Sequence, residues 1–210
     1  MMADRGLFIA LEGGEGAGKS TQARLLGDAL HEKGRDVVLT REPGGTPGAE
    51  AIRALLLSND GDGWGPRAEA LLFAAARADH VDKLIRPALA RGAVVICDRY
   101  LDSSRAYQGG GGGLSDAELL DLHRIGSEGL LPDLTLLLAL PPHESAARLV
   151  LRDRGEADRI GGRSAAYHAR VAAAFDRFAV AEPARFARID ASGAAEVVHG
   201  RILAALATRI

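Results

Sequence analysis

Residues 13 to 20 read Gly13-Gly14-Glu15-Gly16-Ala17-Gly18-Lys19-Ser20, a complete G-x-x-x-x-G-K-[ST] run. It follows an apolar stretch, Leu7-Phe8-Ile9-Ala10-Leu11, and precedes a helical pattern that begins near Lys19. Strand, glycine-rich turn and helix N-terminus in that order form a phosphate loop, which commits the chain to a βα unit with a parallel neighbour. Glycines let the backbone curl until its N–H groups converge on one anion. The positive end of the following helix faces the same point. Lys19 supplies a cation for the β- and γ-phosphates of a nucleotide, Ser20 an oxygen for Mg²⁺, and Thr21 continues the motif into the helix. The chain has 26 basic residues, and only three of them, Lys19, Lys33 and Lys83, are lysines, so the motif lysine is not drawn from an abundant pool.

Apolar runs recur at 7–11, 37–39, 93–97, 134–140 and 186–189. They are nearly continuous, as in strands covered on both faces. Helical periodicity fills the intervals at 19–33, 48–58, 66–91, 115–129, 142–153, 163–182 and 194–208. The first of these ends at Lys33-Gly34, a basic last turn with a C-cap glycine. Alternation of this kind predicts an α/β fold with a parallel sheet and helices on both faces; together with the phosphate loop it resembles the phosphate-loop NTPase type, which implies a three-layer sandwich around a five-stranded sheet of order 2-3-1-4-5. The 210 residues suit one domain, 1–210. Two segments read as mobile: Gly109 to Gly113, five consecutive glycines, and the charged stretch Asp153 to Gly162.

A net charge of −2 leaves no whole-molecule field for gripping nucleic acid, so anion binding must be local. The one cysteine, Cys97, lies inside a strand pattern and reads as core. No apolar run reaches the length of a membrane span, and the apolar stretch near the N-terminus is too short for a signal peptide. A cytoplasmic setting without nucleic-acid or membrane partners is the expectation. The six histidines show no metal spacing or catalytic partner and read as surface or packing residues.

Ligands of such sheets sit beyond the C-terminal strand ends. The first strand runs into the phosphate loop, the second into Arg41-Glu42-Pro43-Gly44-Gly45, and the third into Asp98-Arg99-Tyr100. A carboxylate at a buried strand tip beside a phosphate loop can hold Mg²⁺, which makes Asp98 a second metal candidate next to Ser20. The adjacent Arg99 can clamp a phosphate with two parallel bonds. A surface ion pair at a strand end is the plainer alternative for both residues.

With E-G-x-E-G-A-G-K-S at 12–20, T-R-E-P-G-G-T at 40–46, L-L-F-A-A-A-R at 71–77, D-R-Y at 98–100 and S-S-R-A-Y-Q-G-G at 103–110, the chain resembles the bacterial thymidylate kinases. Pro132-Asp133-Leu134-Thr135 and R-G-E-x-D-R-I at 154–160 extend the likeness. The resemblance implies transfer of the γ-phosphoryl of ATP to dTMP with Mg²⁺, and a homodimer formed through helix faces around 66–91 and 115–129. It also implies roles for matching positions. Phe73 would stack on thymine and Arg77, four residues on, would donate to a base carbonyl. Ser104, Tyr107 and Gln108 would lie near base and sugar, Arg99 would grip the acceptor phosphate, and Glu15 would sit near the 3′-hydroxyl and the metal. Glu15 could instead point outward. The phosphate loop carries no arginine, whereas the segment at about 152–162, which resembles the short lid of these kinases, holds Arg152, Arg154 and Arg159. That resembles the subclass whose lid delivers the catalytic positive charge, with Arg154 as the expected contact; a solvated charged helix end is the alternative. Departures are Ala139 and Ala76, where many relatives carry acidic residues.

The rival readings are another nucleotide or deoxynucleoside kinase and a nucleotide-dependent switch. None of the three lysines follows an asparagine, so the base-reading N-K-x-D motif of GTPases is absent.

Overall fold

A computed structural model describes residues 5–58, 61, 63–141, 144, 145, 147, 148 and 159–207. Five strands form one parallel sheet: β1 (Phe8–Glu12), β2 (Val37–Arg41), β3 (Val94–Asp98), β4 (Leu134–Ala139) and β5 (Phe186–Asp190). Their order is β2-β3-β1-β4-β5, as the sequence predicts. In register, Leu11 of β1 and Arg41 of β2 both pair with Asp98 of β3. The phosphate loop and the Asp98-Arg99 pair therefore leave the sheet side by side, at the point where strand order reverses.

Alternation along the strands builds two cores. Ile9, Leu11, Ile96 and Leu136 face one side, against Leu26 of α1 (Lys19–Glu32) and Ile202 of α8 (Ala195–Ala207). Phe8, Ala10, Val95 and Cys97 face the other, against Val81, Ile85 and Leu89. Burial of Cys97 pushes its thiol well above the ordinary range, which fits a core filler. One difference from the sequence reading is that β2, at the expected edge, is only half-buried, with Leu39 44% exposed.

The helical stretch at 66–91 is not one regular helix. It runs as α3 (Pro66–His80), a π turn (Val81–Ile85) and α4 (Arg86–Ala90). Pro87 has no N–H to bond the carbonyl one turn back, and the π turn absorbs that loss. A helical segment missed in the sequence is α5 (Leu101–Ser104), continued by a π-helical stretch over Arg105–Gly111. Glycines of this stretch, read above as mobile, are packed tightly. A β-carbon on Gly110 would meet Ala174 Cβ at 2.6 Å, and one on Gly111 would overlap the Tyr167 ring. Both neighbours belong to α7 (Ala165–Ala181), so bare backbone is needed there for close approach. The other helices are α2 (Pro47–Leu57) and α6 (Asp116–Ser127). Of the helix expected at 142–153, Glu144, Ser145, Ala147 and Arg148 are helical, and the remainder lies outside the described residues. Among the described residues, no helix is long and apolar enough to cross a membrane.

Candidate active site

The loop between β1 and α1 needs glycine for two different reasons. Gly13 has φ 138°, and a β-carbon there would overlap the Leu138 carbonyl oxygen. Gly18 occupies the N-cap of α1 at φ 88°, with no side-chain cap, so the first-turn N–H groups stay available to an anion. Lys19 is 7% exposed and donates from Nζ to the Gly14 (2.7 Å) and Gly13 (3.2 Å) carbonyls. Burial, then the nearby Arg99 guanidinium, push its ammonium down to about 8, against the pull of Glu15 and Asp98. A bound polyphosphate would supply the opposite charge that this ammonium lacks.

Ser20 donates a short hydrogen bond from Oγ to Asp98 Oδ2, while Asp98 Oδ1 is buried with no hydrogen-bond partner among the described residues. A hydroxyl and a half-satisfied carboxylate side by side are hard oxygen donors that fit Mg²⁺.

Arg99 is the hinge of the site. Its φ of 69° is left-handed, unusual for a side chain of this size. It donates to the Gly13 carbonyl (3.1 Å), to Ser103 Oγ (3.2 Å) and to Glu15 Oε1 (2.5 Å). Burial would lower its pKa, but Glu15 and further neighbours outweigh it, and the net shift is upward. The guanidinium also lies over the Tyr107 ring, 5.0 Å from its centroid, and Tyr107 Oη donates to the same Glu15 oxygen at 3.2 Å. Glu15 thus points inward. The turn is held by a residue the sequence reading passed over, Glu12. Its Oε1 accepts from the N–H groups of Tyr100 (2.8 Å) and Ser103 (3.0 Å), and its Oε2 from Ser103 Oγ (2.6 Å). Complete burial, with Asp102 nearby, raises the Glu12 carboxyl to about 7.

On the far side, Arg77 is 3% exposed and fixed by Glu42 Oε2 (2.7 Å), the Tyr100 carbonyl (3.1 Å) and Ser104 Oγ (3.0 Å). Nε and Nη2 make these bonds; Nη1 takes part in none of them. Glu42 also meets His80 Nδ1 at 3.0 Å, and His80 Nε2 lies 2.7 Å from Thr40 Oγ1. His80 is therefore a buried packing residue that steadies Glu42. His123 is packed edge-on to Tyr100, and burial lowers its imidazole to about 4, so it stays neutral. Phe73 lies one turn before Arg77 on α3 and is partly buried.

Many of these groups open onto one cavity of about 540 Å³. Glu15, Gly16, Gly18, Lys19, Ser20 and Thr21 line it together with Asp98 and Arg99. Phe73, Arg77, Ser104, Tyr107 and Gln108 line it as well, whereas Glu12, His80 and His123 lie behind the lining. Gly13, Gly14 and Ala17 shape the loop from behind. Arg41, at the cavity rim, is paired with Glu50 at 3.0 Å. Arg152 and Arg154 lie outside the described residues. Arg159 is described, and it donates to the carbonyls of Ser58 (2.6 Å) and Gly61 (3.3 Å).

The thymidylate kinase sequence family matches residues 11–202. The chain belongs to the thymidylate kinase family. It is 56% identical over 202 residues to a thymidylate kinase of Rhizorhabdus wittichii, covering 96% of this chain and 97% of that protein. Identity to the thymidylate kinase of Gluconobacter oxydans is 53%, over 98% of this chain and 96% of the relative. The crystal structure of thymidylate kinase from Ehrlichia chaffeensis superposes with a TM-score of 0.78 at 31% identity, covering 96% of this chain and 99% of that one.

Proposed function

We propose that this chain phosphorylates dTMP to dTDP, using ATP as donor with Mg²⁺, as a single phosphate-loop domain with 152–162 as its lid. One observation carries the reading. A single cavity is lined by the uncapped start of the phosphate-loop helix, by the Arg99–Glu15 pair, and by Phe73 and Arg77.

Phosphoryl transfer needs alignment and charge neutralisation more than covalent help. The acceptor is a phosphate oxygen, largely ionised at neutral pH because its second pKa is about 6, so no general base is needed. Loop amides and Lys19 would hold the donor phosphates. Arg99, pre-set by Glu12 and Gly13, would hold the acceptor phosphate in line with them. Glu15, bonded to Arg99 and Tyr107, would take the sugar 3′-hydroxyl. Phe73 would stack on the base while Arg77 Nη1 donates to a carbonyl of thymine. Ser20 and Asp98 would hold Mg²⁺, which when bound neutralises charge on the β- and γ-oxygens. Arg154 would cover the transferred group on lid closure and keep water out.

The chain is proposed to act as a cytoplasmic homodimer through α3 and α6, whose Leu71 and Ile125 are 56% and 71% exposed. Sedimentation of the purified protein tests this: a monomer at micromolar concentration overturns it. The activity is tested by ADP release with a panel of dTMP, dUMP, UMP, CMP and thymidine. dTMP should be fastest, with some dUMP turnover because one methyl is worth about 1–3 kcal/mol. A faster UMP, CMP or nucleoside would overturn the substrate.

A further inference from the structure

Gln108 is 2% exposed, and its side-chain amide could face the cavity with either its carbonyl or its NH₂ group. The choice decides which pyrimidine fits. Thymine offers a donor at N3–H, whereas cytosine offers an acceptor at N3. Behind the amide stands Glu69, 3% exposed, on the same face of α3 as Phe73, Arg77 and His80. Gln108 Nε2 donates to Glu69 Oε1 at 2.9 Å. A carboxylate accepts only, so it can pair with the NH₂ end of the amide and not with the carbonyl end. The other Glu69 oxygen accepts a short bond from Arg163 Nη2. Arg163 is fixed in turn by Tyr167 Oη at 2.7 Å and by the Tyr167 ring, 4.7 Å from the guanidinium carbon. No further hydrogen bond of the Gln108 side chain is seen among the described residues.

We infer that Glu69 is a specificity-positioning residue: it anchors the NH₂ end of Gln108, so that the amide carbonyl is presented to the cavity and selects a base with a donor at N3. This rests on the dTMP reading proposed above. Arg77 and Gln108 then divide the recognition, with a guanidinium for a base carbonyl and an oxygen for the imide N–H. Cytosine reverses the polarity at N3, which leaves the buried Gln108 carbonyl facing another acceptor. Glu69 itself does not have to touch the nucleotide, since it acts through the orientation of Gln108.

The test is a pair of kcat/KM measurements, dTMP and dCMP, on the full-length chain and on Glu69→Gln. Turnover of dTMP by the unaltered chain checks the underlying reading first; without it, that reading has failed rather than this one. In Glu69→Gln the new amide can donate or accept, and Gln108 is released to turn over. The expected result is a dTMP KM raised about tenfold at a kcat within about twofold, with the dTMP-to-dCMP preference narrowed about tenfold. A loss shared equally by both nucleotides, with the preference intact, would overturn the inference, because that is what a merely structural carboxylate gives. Should the single substitution unfold the chain by leaving Arg163 unpaired, the Glu69→Gln, Arg163→Gln double variant removes both charges. It should show the same narrowed preference, and an unchanged one there also overturns the inference.

Discussion

The two parts of the proposed site, a donor end and an acceptor end, are built by different means. The donor end is main chain: consecutive glycines and a helix N-terminus, completed by one lysine. The acceptor end is side chain, gathered from α3, the β2–α2 turn and the 99–108 segment. Each of its arginines and amides is backed by a buried carboxylate: Glu12 under the Arg99 turn, Glu42 under Arg77, and Glu69 under Gln108. A site made of backbone is fixed by local conformation, so a short contiguous motif specifies it. A site made of long side chains has to be oriented by residues behind it. The difference implies that donor-end damage is confined to chemistry, whereas acceptor-end damage spreads into stability.

The largest expected effect is at the donor end. Lys19→Ala should reduce kcat by about a thousandfold, since a preorganised charge in a dry site is lost. Its melting temperature should hold or rise, because a buried ammonium goes with it. A clear fall in melting temperature would erase the contrast.

Arg77→Ala should raise the dTMP KM by about a hundredfold and move the ATP KM by less than about threefold. Unlike Lys19→Ala it should also destabilise, by about 3–5 kcal/mol, because Glu42 loses its buried cation. Chemical denaturation measures the second part. An unaltered midpoint would mean that Glu42 does not depend on Arg77.

A third test uses pH. The Lys19 ammonium is lowered from its ordinary 10.5 to about 8 in the ligand-free chain, and an anion must raise it again. Near pH 8.5 ATP binding should therefore take up protons, and near pH 6.5 it should not. Calorimetry in two buffers of different ionisation enthalpy reads this directly. The stability sign follows from the same shift. The burden of the buried charge is present below about 8 and is relieved as pH rises toward 10.5. Equal proton counts at both pH values would remove Lys19 as the donor-end cation.

The smallest effect should lie at the opposite, N-terminal ends of β2 and β3. The Arg91–Asp36 pair there spans 3.0 Å, but both side chains are more than half exposed. Asp36→Ala should change neither KM nor kcat, and stability by no more than about 0.5 kcal/mol.

The sequence was most legible where structure is local. The phosphate loop, five strands and their order follow from a contiguous motif and from apolar runs. The buried carboxylates were not legible, because acidic residues are ordinarily solvated and nothing local marks an exception. A weak signal existed for one group: Glu69, Phe73, Arg77 and His80 recur at helical spacing, so a polar stripe shares the face that meets the site. Glu12 offered less, since only its place at the end of a buried strand hinted at enclosure. The break in the 66–91 helix was signalled by Pro87. The helical run through 101–111 was hidden because glycine in quantity reads as loop.

That glycine tract has a consequence for how the chain can vary. Repeated glycine suggests slack, yet at Gly110 and Gly111 it serves as a bare rail on which a neighbouring helix rides. Two residues along, Gly113 faces open space, although its left-handed backbone still favours glycine. A single methyl on the rail would act as a wedge beneath α7 and tilt Tyr167, whose hydroxyl is bonded to the Tyr107 carbonyl. Inheritance of this tract is thus tied to the shape of the nucleotide niche, even though neither rail glycine needs to touch a nucleotide.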